Sequence, residues 1–167
     1  VIRELSEAYD KKGDLDLARE EIEKAIKLDP RNPVNFGYLA DLMWRHGDRD
    51  EALEKIAHAV RLDPDYDFAW SALRSWCEAL GKPDFDVEVA NELCKDRPDE
   101  ARSWLKLAFC LDQPHQVDEA IEAIDKALAI EPFLISAYNQ KASLHCSLGR
   151  FDKAREVLAT DAFGDNY

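Results

Sequence analysis

The tripeptide Leu28-Asp29-Pro30 is repeated as Leu62-Asp63-Pro64 and returns in altered form as Ile130-Glu131-Pro132. With Pro98 between the last two, these prolines follow one another at intervals of 34 residues. A constant period of between about 20 and 50 residues indicates a protein built from stacked structural repeats. We therefore predict an array of units that bury one another's apolar faces, and not a globule around one enclosed active site.

Within each period the sequence predicts two helices joined by a short turn. Glycine supplies the left-handed backbone that ends a helix at four of these turns: Gly13, Gly47, Gly81 and Gly149. An acidic residue follows and is predicted to cap the next helix with its side chain in three repeats: Asp14, Asp48 and Asp84. Asn32 before Pro33 likewise predicts a helix cap followed by a first-turn proline.

The second helices share a small–large–small motif whose spacing of four and then three residues places it on one helix face. It reads Ala18-Ile22-Ala25, Ala52-Ile56-Ala59 and Ala120-Ile124-Ala127. The first helices share an aromatic residue three positions before a leucine, as in Phe36 and Leu39, Trp70 and Leu73, and Trp104 and Leu107. Tyr138 takes the aromatic position in the last repeat.

These motifs together resemble the tetratricopeptide repeat family, whose 34-residue pattern is W-x2-L-G-x2-Y…A-x3-F…P. The resemblance implies an all-α, right-handed α-solenoid of about five helix-turn-helix repeats and about ten antiparallel helices. We divide the chain, 1–167, into one solenoid with repeats at 1–32, 33–66, 67–100, 101–134 and 135–160. Because it starts at Val1 in the middle of a repeat, we expect it to be a segment of a longer protein.

Three regions depart from the pattern. In repeat 67–100 the second helix carries Asp86, Ala90 and Leu93 at the motif positions, and Arg74 stands at the tightest helix crossing. Either Arg74 extends to solvent while the second helix shifts its phase, or the superhelix bends here. His115 after Pro114 predicts a reshaped turn, and the residues after Leu158 are too few for a capping helix.

Composition limits the possible partners and compartments. The net charge of −13 disfavours binding to nucleic acid and to anionic membranes. It suits a basic or apolar partner, or it serves only to keep the protein in solution. Four cysteines without a CxxC pair predict inert thiols in a reducing compartment, so we expect a cytoplasmic protein. No apolar run reaches the ~18–20 residues of a membrane span.

No motif for catalysis, a metal or a cofactor is found. The four histidines lack H-x-x-x-H spacing, and the phosphate-binding motifs G-x-x-x-x-G-K and G-x-G-x-x-G are absent from the sequence. His145 and Cys146 are adjacent, but neighbouring helix residues point about 100° apart and chelate poorly. We therefore expect no enzymatic activity, no metal and no cofactor.

The resemblance implies that exposed positions of the first helices line a peptide-binding groove. Those positions are Tyr38, Asp41, Arg45, Phe68, Ser75, Arg102, Lys106, Phe109, Asn139 and Gln140. Arg102 and Lys106 lie one helical turn apart near aromatic residues, which suits a carboxylate ligand with an apolar anchor. The alternative is that these cations pair with acids such as Glu100 or Asp67, and that the aromatic residues only pack between helices.

The predicted function is a non-catalytic protein–protein interaction scaffold that binds a peptide or protein segment in its groove. A first alternative is a regulatory or sensor arm that packs on the catalytic domain of the same, longer protein. A second alternative is a structural array that associates with itself through uncapped ends.

Overall fold

The computed structural model describes residues 2–111 and 115–159. All regular secondary structure in these residues is α-helical, which confirms the predicted fold class. The helices are α1 (Ile2–Lys12), α2 (Leu15–Leu28), α3 (Pro33–His46), α4 (Arg49–Leu62), α5 (Asp67–Ala79), α6 (Phe85–Asp96), α7 (Ala101–Cys110), α8 (Val117–Ile130), α9 (Ile135–Ser147) and α10 (Phe151–Leu158).

The chain divides into two compact units, Val1–Asp86 (unit 1) and Val87–Tyr167 (unit 2). In unit 1, α1 packs on α2, α2 on α3, α3 on α4 and α4 on α5. In unit 2, α7 packs on α8, α8 on α9 and α9 on α10. For these pairs, helices that are neighbours in sequence are also neighbours in space, as a repeat array requires. The single solenoid of five repeats stays a prediction.

The small–large–small motif forms the inner face of the second helices. Ile22, Ile56 and Ile124 are each 0% exposed, and the alanines that flank them are buried as well. Small residues let the partner helix approach closely, while the isoleucine fills the space between helices. The predicted repeat register therefore agrees with the pattern of burial.

The turn glycines have the predicted left-handed conformation, but the predicted acidic side-chain caps are not observed. Gly13, Gly47, Gly81 and Gly149 all have positive φ, and Asn32 accepts a hydrogen bond from the Val34 backbone N–H. Asp14 and Asp48 precede their helices without a side-chain cap, so that expectation was wrong. The carboxylate of Asp48 instead lies 3.4 Å from an Arg19 guanidinium nitrogen, which competes for the same oxygen.

Helix α6 keeps the register of the other second helices despite its altered motif. Asp86, Ala90 and Leu93 are all buried at the motif positions, so the predicted phase shift was wrong. Arg74 is half-buried. Pro114, on which the predicted reshaped turn depends, and the residues after Ala159 lie outside the described residues.

Candidate functional site

The first helices of unit 1 face a common cavity of about 240 Å³, which we call the first-helix groove. Its lining comes from α1, α3 and the start of α5: Arg3, Glu7, Val34, Tyr38, Asp41, Tyr66 and Phe68. The structure thus brings together Tyr38, Asp41 and Phe68 of the predicted site residues. Phe68 is 48% exposed, so the groove offers a large apolar side chain to a ligand.

Arg45 is held by carboxylates of two helices. Its guanidinium donates two hydrogen bonds to Asp10, at 3.0 and 2.7 Å, and one to Asp41 at 3.0 Å. The hydrogen bonds from Arg45 hold the pKa of Asp10 below its ordinary value. Bidentate geometry of this kind is among the stronger charge pairings. Arg45 therefore joins α3 to α1 beside the groove and is not part of the lining.

Tyr66 enters the groove through a gap left by Gly37. A β-carbon at Gly37 would lie 2.7 Å from both Cε1 and the hydroxyl oxygen of Tyr66, so glycine permits this close approach. The ring of Tyr66 lies 5.8 Å from that of Phe68. Sequence reasoning missed Tyr66 because it precedes α5, although a glycine inside a predicted helix is a signal of close approach.

The hydroxyl of Tyr38 is buried and has no hydrogen-bond partner among the described residues. Burial raises the pKa of both Tyr38 and Tyr66, so both rings stay neutral near neutral pH. Arg3 and Glu7, on one side of the groove, lie 3.6 Å apart. The groove consequently combines neutral aromatic walls with a rim of two carboxylates, Glu7 and Asp41, and one cation, Arg3.

The remaining predicted residues are distributed over α5, α7 and α9. Ser75, Arg102 and Asn139 are exposed, while Lys106, Phe109 and Gln140 are half-buried. Arg102, Lys106 and Phe109 also take part in interactions within the chain. Glu100, one proposed partner of the cations, lies 3.5 Å from Arg97 and accepts a hydrogen bond from Ser103 at 3.0 Å.

Across residues 2–111 and 115–159, no group of three or more His, Cys, Asp or Glu side chains is arranged to hold a metal ion. In the same residues, no helix has the length and apolar character needed to cross a membrane.

Comparison with known proteins identifies the repeat. Residues 5–77 match the tetratricopeptide repeat family, in its TPR_19 form. The stretch 5–77 belongs to the tetratricopeptide repeat family. This assignment confirms the resemblance inferred from the 34-residue period. No curated protein matches the sequence significantly.

Solved structures of several proteins have a similar fold, among them two described as tetratricopeptide repeat proteins. TTC0263 of Thermus thermophilus is 24% identical, with a TM-score of 0.55 over 95% of this chain and 87% of that one. MamA of Desulfovibrio magneticus RS-1, from its residue 41 to its end, is 17% identical, with a TM-score of 0.55 over 99% and 96%. YrrB, described as having an unusual peptide-binding site, is 16% identical, with a TM-score of 0.54 over 99% and 86%. At these identities the likeness extends to the fold alone.

Proposed function

We propose that this tetratricopeptide repeat chain is a non-catalytic scaffold that binds a peptide or protein segment on its first helices. The observation that carries the proposal is the first-helix groove, because three successive first-helix regions contribute side chains to one cavity. Peptide binding by YrrB, a protein of similar fold, is consistent with this function.

The groove favours a segment with an apolar side chain next to a basic one. The apolar side chain would lie against Tyr66 and Phe68, where aromatic surface is exposed. The basic side chain would reach Asp41 or Glu7, since carboxylates outnumber cations in the lining. The net charge of −13 strengthens this preference through long-range attraction.

In unit 2 we propose a separate contact of opposite charge. Arg102 and Lys106 lie one turn apart on α7, with Phe109 on the same helix and Asn139 and Gln140 on α9. Two cations beside an aromatic ring suit a ligand carboxylate next to an apolar group.

The experiment is selection of peptides from a random display library on the whole chain, followed by titration of a fluorescent copy of the best binder. Phe68→Ala should weaken a groove ligand at least tenfold, roughly the loss of one well-packed anchor. Phe133→Ala is the matched control, because Phe133 is 77% exposed and lies in unit 2. Equal affinity for both variants and wild type would refute the groove assignment in unit 1, as would a library that yields no binder.

The unit 2 contact is tested in the same titration. Arg102→Glu with Lys106→Glu should abolish binding of acidic peptides and leave helicity and the melting temperature unchanged. Lys11→Glu with Lys12→Glu makes the same change of charge on the exposed last turn of α1 and is the control. Binding that is insensitive to the first pair would rule this contact out.

We propose a reducing compartment, the cytoplasm, with neither nucleic acid nor membrane as partner. All four cysteines are free thiols, and Cys77, Cys94 and Cys110 are buried. Burial raises the pKa of Cys77 to about 12 and that of Cys94 to about 11, so neither forms the reactive thiolate near neutral pH. Fractionation of the source cells tests the assignment, and recovery with membranes or nucleic acid would contradict it.

A second candidate function is self-association. In the region of α9 and α10, Phe133, Ile135, Phe151 and Leu158 are all exposed by 48% or more. Large apolar side chains exposed to this degree are candidates for a contact surface. Light scattering across a range of concentrations tests it: a constant monomer mass would exclude self-association, and a rising mass abolished by Phe151→Ser would support it.

A further inference from the structure

Unit 1 has another cavity, of about 220 Å³, among its second helices. We call it the second-helix groove. Its lining comes from α2, α3 and α4: Arg19, Glu23, Ile26, Lys27, Phe36, Leu39, Glu51 and Lys55. None of these residues lines the first-helix groove, so the two are separate sites in one unit.

The floor of the second-helix groove is apolar. Ile26 and Phe36 are half-buried, and Leu39 lies beneath them with 3% exposure. His58 packs edge-on against Phe36, with ring centroids 4.5 Å apart. His58 is itself exposed and does not line the groove. Partial desolvation and the nearby Arg61 and Lys55 lower its pKa, so the ring that supports Phe36 is neutral near neutral pH. An apolar side chain of a ligand can therefore be accommodated against Phe36 and Ile26.

At one end of the groove, Arg19 draws three carboxylates together. Arg19 lies 3.1 Å from Glu23, 3.4 Å from Asp48 and 3.5 Å from Glu51. One guanidinium thus engages three carboxylates and joins α2 to the start of α4. Glu23 and Glu51 thus lie near Arg19, and neither forms an ion pair with Lys27 or Lys55.

At Lys27 and Lys55 the charge is not paired. Within the part of the chain that the structure describes, neither ammonium group forms a hydrogen bond or an ion pair, whereas Lys24 on α2 contacts both Glu20 and Glu21. The groove therefore presents two lysines without an ion pair beside its apolar floor, although the chain as a whole has a net charge of −13.

From this arrangement we propose that the second-helix groove binds an acidic segment of a partner protein. Carboxylates of the segment pair with Lys27 and Lys55, and an apolar side chain between them packs on Phe36 and Ile26. Charge complementarity selects this occupant over a basic one, which Lys27 and Lys55 would repel. The site is thus opposite in charge preference to the first-helix groove, so one unit can hold two segments of different chemistry.

The test uses two labelled, amidated probes, Leu-Glu-Glu-Leu-Glu-Glu and Leu-Lys-Lys-Leu-Lys-Lys, titrated into the whole chain. We expect the acidic probe to bind more tightly when salt is lowered, because surface charges are then less screened. Lys27→Gln with Lys55→Gln should weaken it about five- to tenfold, the loss expected for two exposed pairs. Lys11→Gln with Lys12→Gln removes the same charge from α1 and should change nothing.

The floor is tested by Ile26→Ala, which should weaken the acidic probe without changing its dependence on salt. Amide chemical shifts in a ¹⁵N-labelled protein should move at Ile26, Phe36 and His58 on binding. Equal affinity for the Lys27→Gln, Lys55→Gln variant and wild type would overturn the proposal. Absence of binding at about 1 mM acidic probe, a free energy near −4 kcal/mol, would do so too. A mass increase of the protein alone that these two substitutions abolish would instead assign the groove to a second copy.

Discussion

The indole Nε1 of Trp70 donates a hydrogen bond of 2.9 Å to the backbone carbonyl oxygen of Pro64. The same bond recurs at 2.9 Å from Trp104 to Pro98, and from the Tyr138 hydroxyl to Pro132. Each donor lies six residues after its proline, so the aromatic position and the proline position of the repeat are joined directly. Phe36 takes the same position after Pro30 but has no donor to offer.

Trp70→Phe should destabilise the fold by about 1–3 kcal/mol, because it leaves the carbonyl of buried Pro64 without a partner. Trp104→Phe is the comparison: Trp104 is half-buried and Pro98 exposed, so water can replace the indole and the loss should stay below about 1 kcal/mol. Urea unfolding followed by circular dichroism measures both. Equal losses would show that the hydrogen bond to buried Pro64 contributes no more to stability than the one to exposed Pro98.

Ala52→Trp tests the register of the repeats. Ala52 is 0% exposed at a helix crossing, and we expect overpacking to cost about 1–3 kcal/mol of unfolding free energy. Ala120→Trp, 68 residues later in the same motif position, should behave alike in unit 2. Glu54→Trp on the exposed face of α4 is the control. A neutral Ala52→Trp would mean that the assigned inner face is wrong.

Gly37→Ala should affect ligand binding more than stability. Alanine favours the helix by up to about 1 kcal/mol, which offsets the displacement of the Tyr66 ring that lies in its way. Since Tyr66 lines the first-helix groove, a groove ligand should bind more weakly.

Gly47→Ala, in the same unit, should affect stability more than ligand binding. Gly47 has φ of 97° and open space around it, so a side chain strains the backbone without touching the groove. We expect a loss of about 1–2 kcal/mol in stability and unchanged peptide affinity. If Gly37→Ala bound its ligand like wild type, Tyr66 would have no part in the site.

Stability should fall as the pH drops below about 6.5, in part because of His145. Its side chain is 6% exposed, its Nδ1 has no partner among the described residues, and burial lowers its pKa from 6.5. Lys141, Lys153 and Arg150 add to the shift, and Asp118 opposes it. Because the unfolded chain then binds the proton more readily than the folded one, acid favours unfolding.

His145→Gln should reduce this dependence on pH between about 5.5 and 7.5, where ordinary carboxylates are already ionised. Urea unfolding at both pH values gives the difference for variant and wild type. His58, whose pKa is also lowered, remains in both proteins, so the comparison isolates His145. If the stability of the variant and of wild type depended on pH in the same way, His145 would not be the group responsible.

The sequence predicted the repeat register well because burial in a helix array follows the period of the helix. Ile22, Ile56 and Ile124 could be placed inside from spacing alone. The caps could not be predicted in the same way, since Asp48 is drawn away by Arg19, 29 residues earlier. A capping preference near 1 kcal/mol is comparable with the free energy of an exposed ion pair, so the two interactions compete for the same carboxylate.

The groove was only partly predictable for a related reason. Tyr38 and Phe68 follow from their positions on first helices, but Arg3, Val34 and Tyr66 line the same cavity through the packing of three helix ends. The ion pairs of Arg45 were also hidden, because its partner Asp10 is 35 residues away. The 34-residue period gives no information about the distances between side chains of different repeats.

Equivalent burial of Ile22, Ile56 and Ile124 also limits how such a chain can change in length. Removing a single residue from a turn would rotate the following helix by about 100° and turn its apolar face outward. Removing a whole block, such as 33–66, would instead bring Leu73 to the place that Leu39 now occupies against α2. The chain should therefore tolerate the gain or loss of entire repeats better than smaller insertions or deletions. Duplication of complete repeats is consequently the way in which such a chain can become longer and keep its buried face.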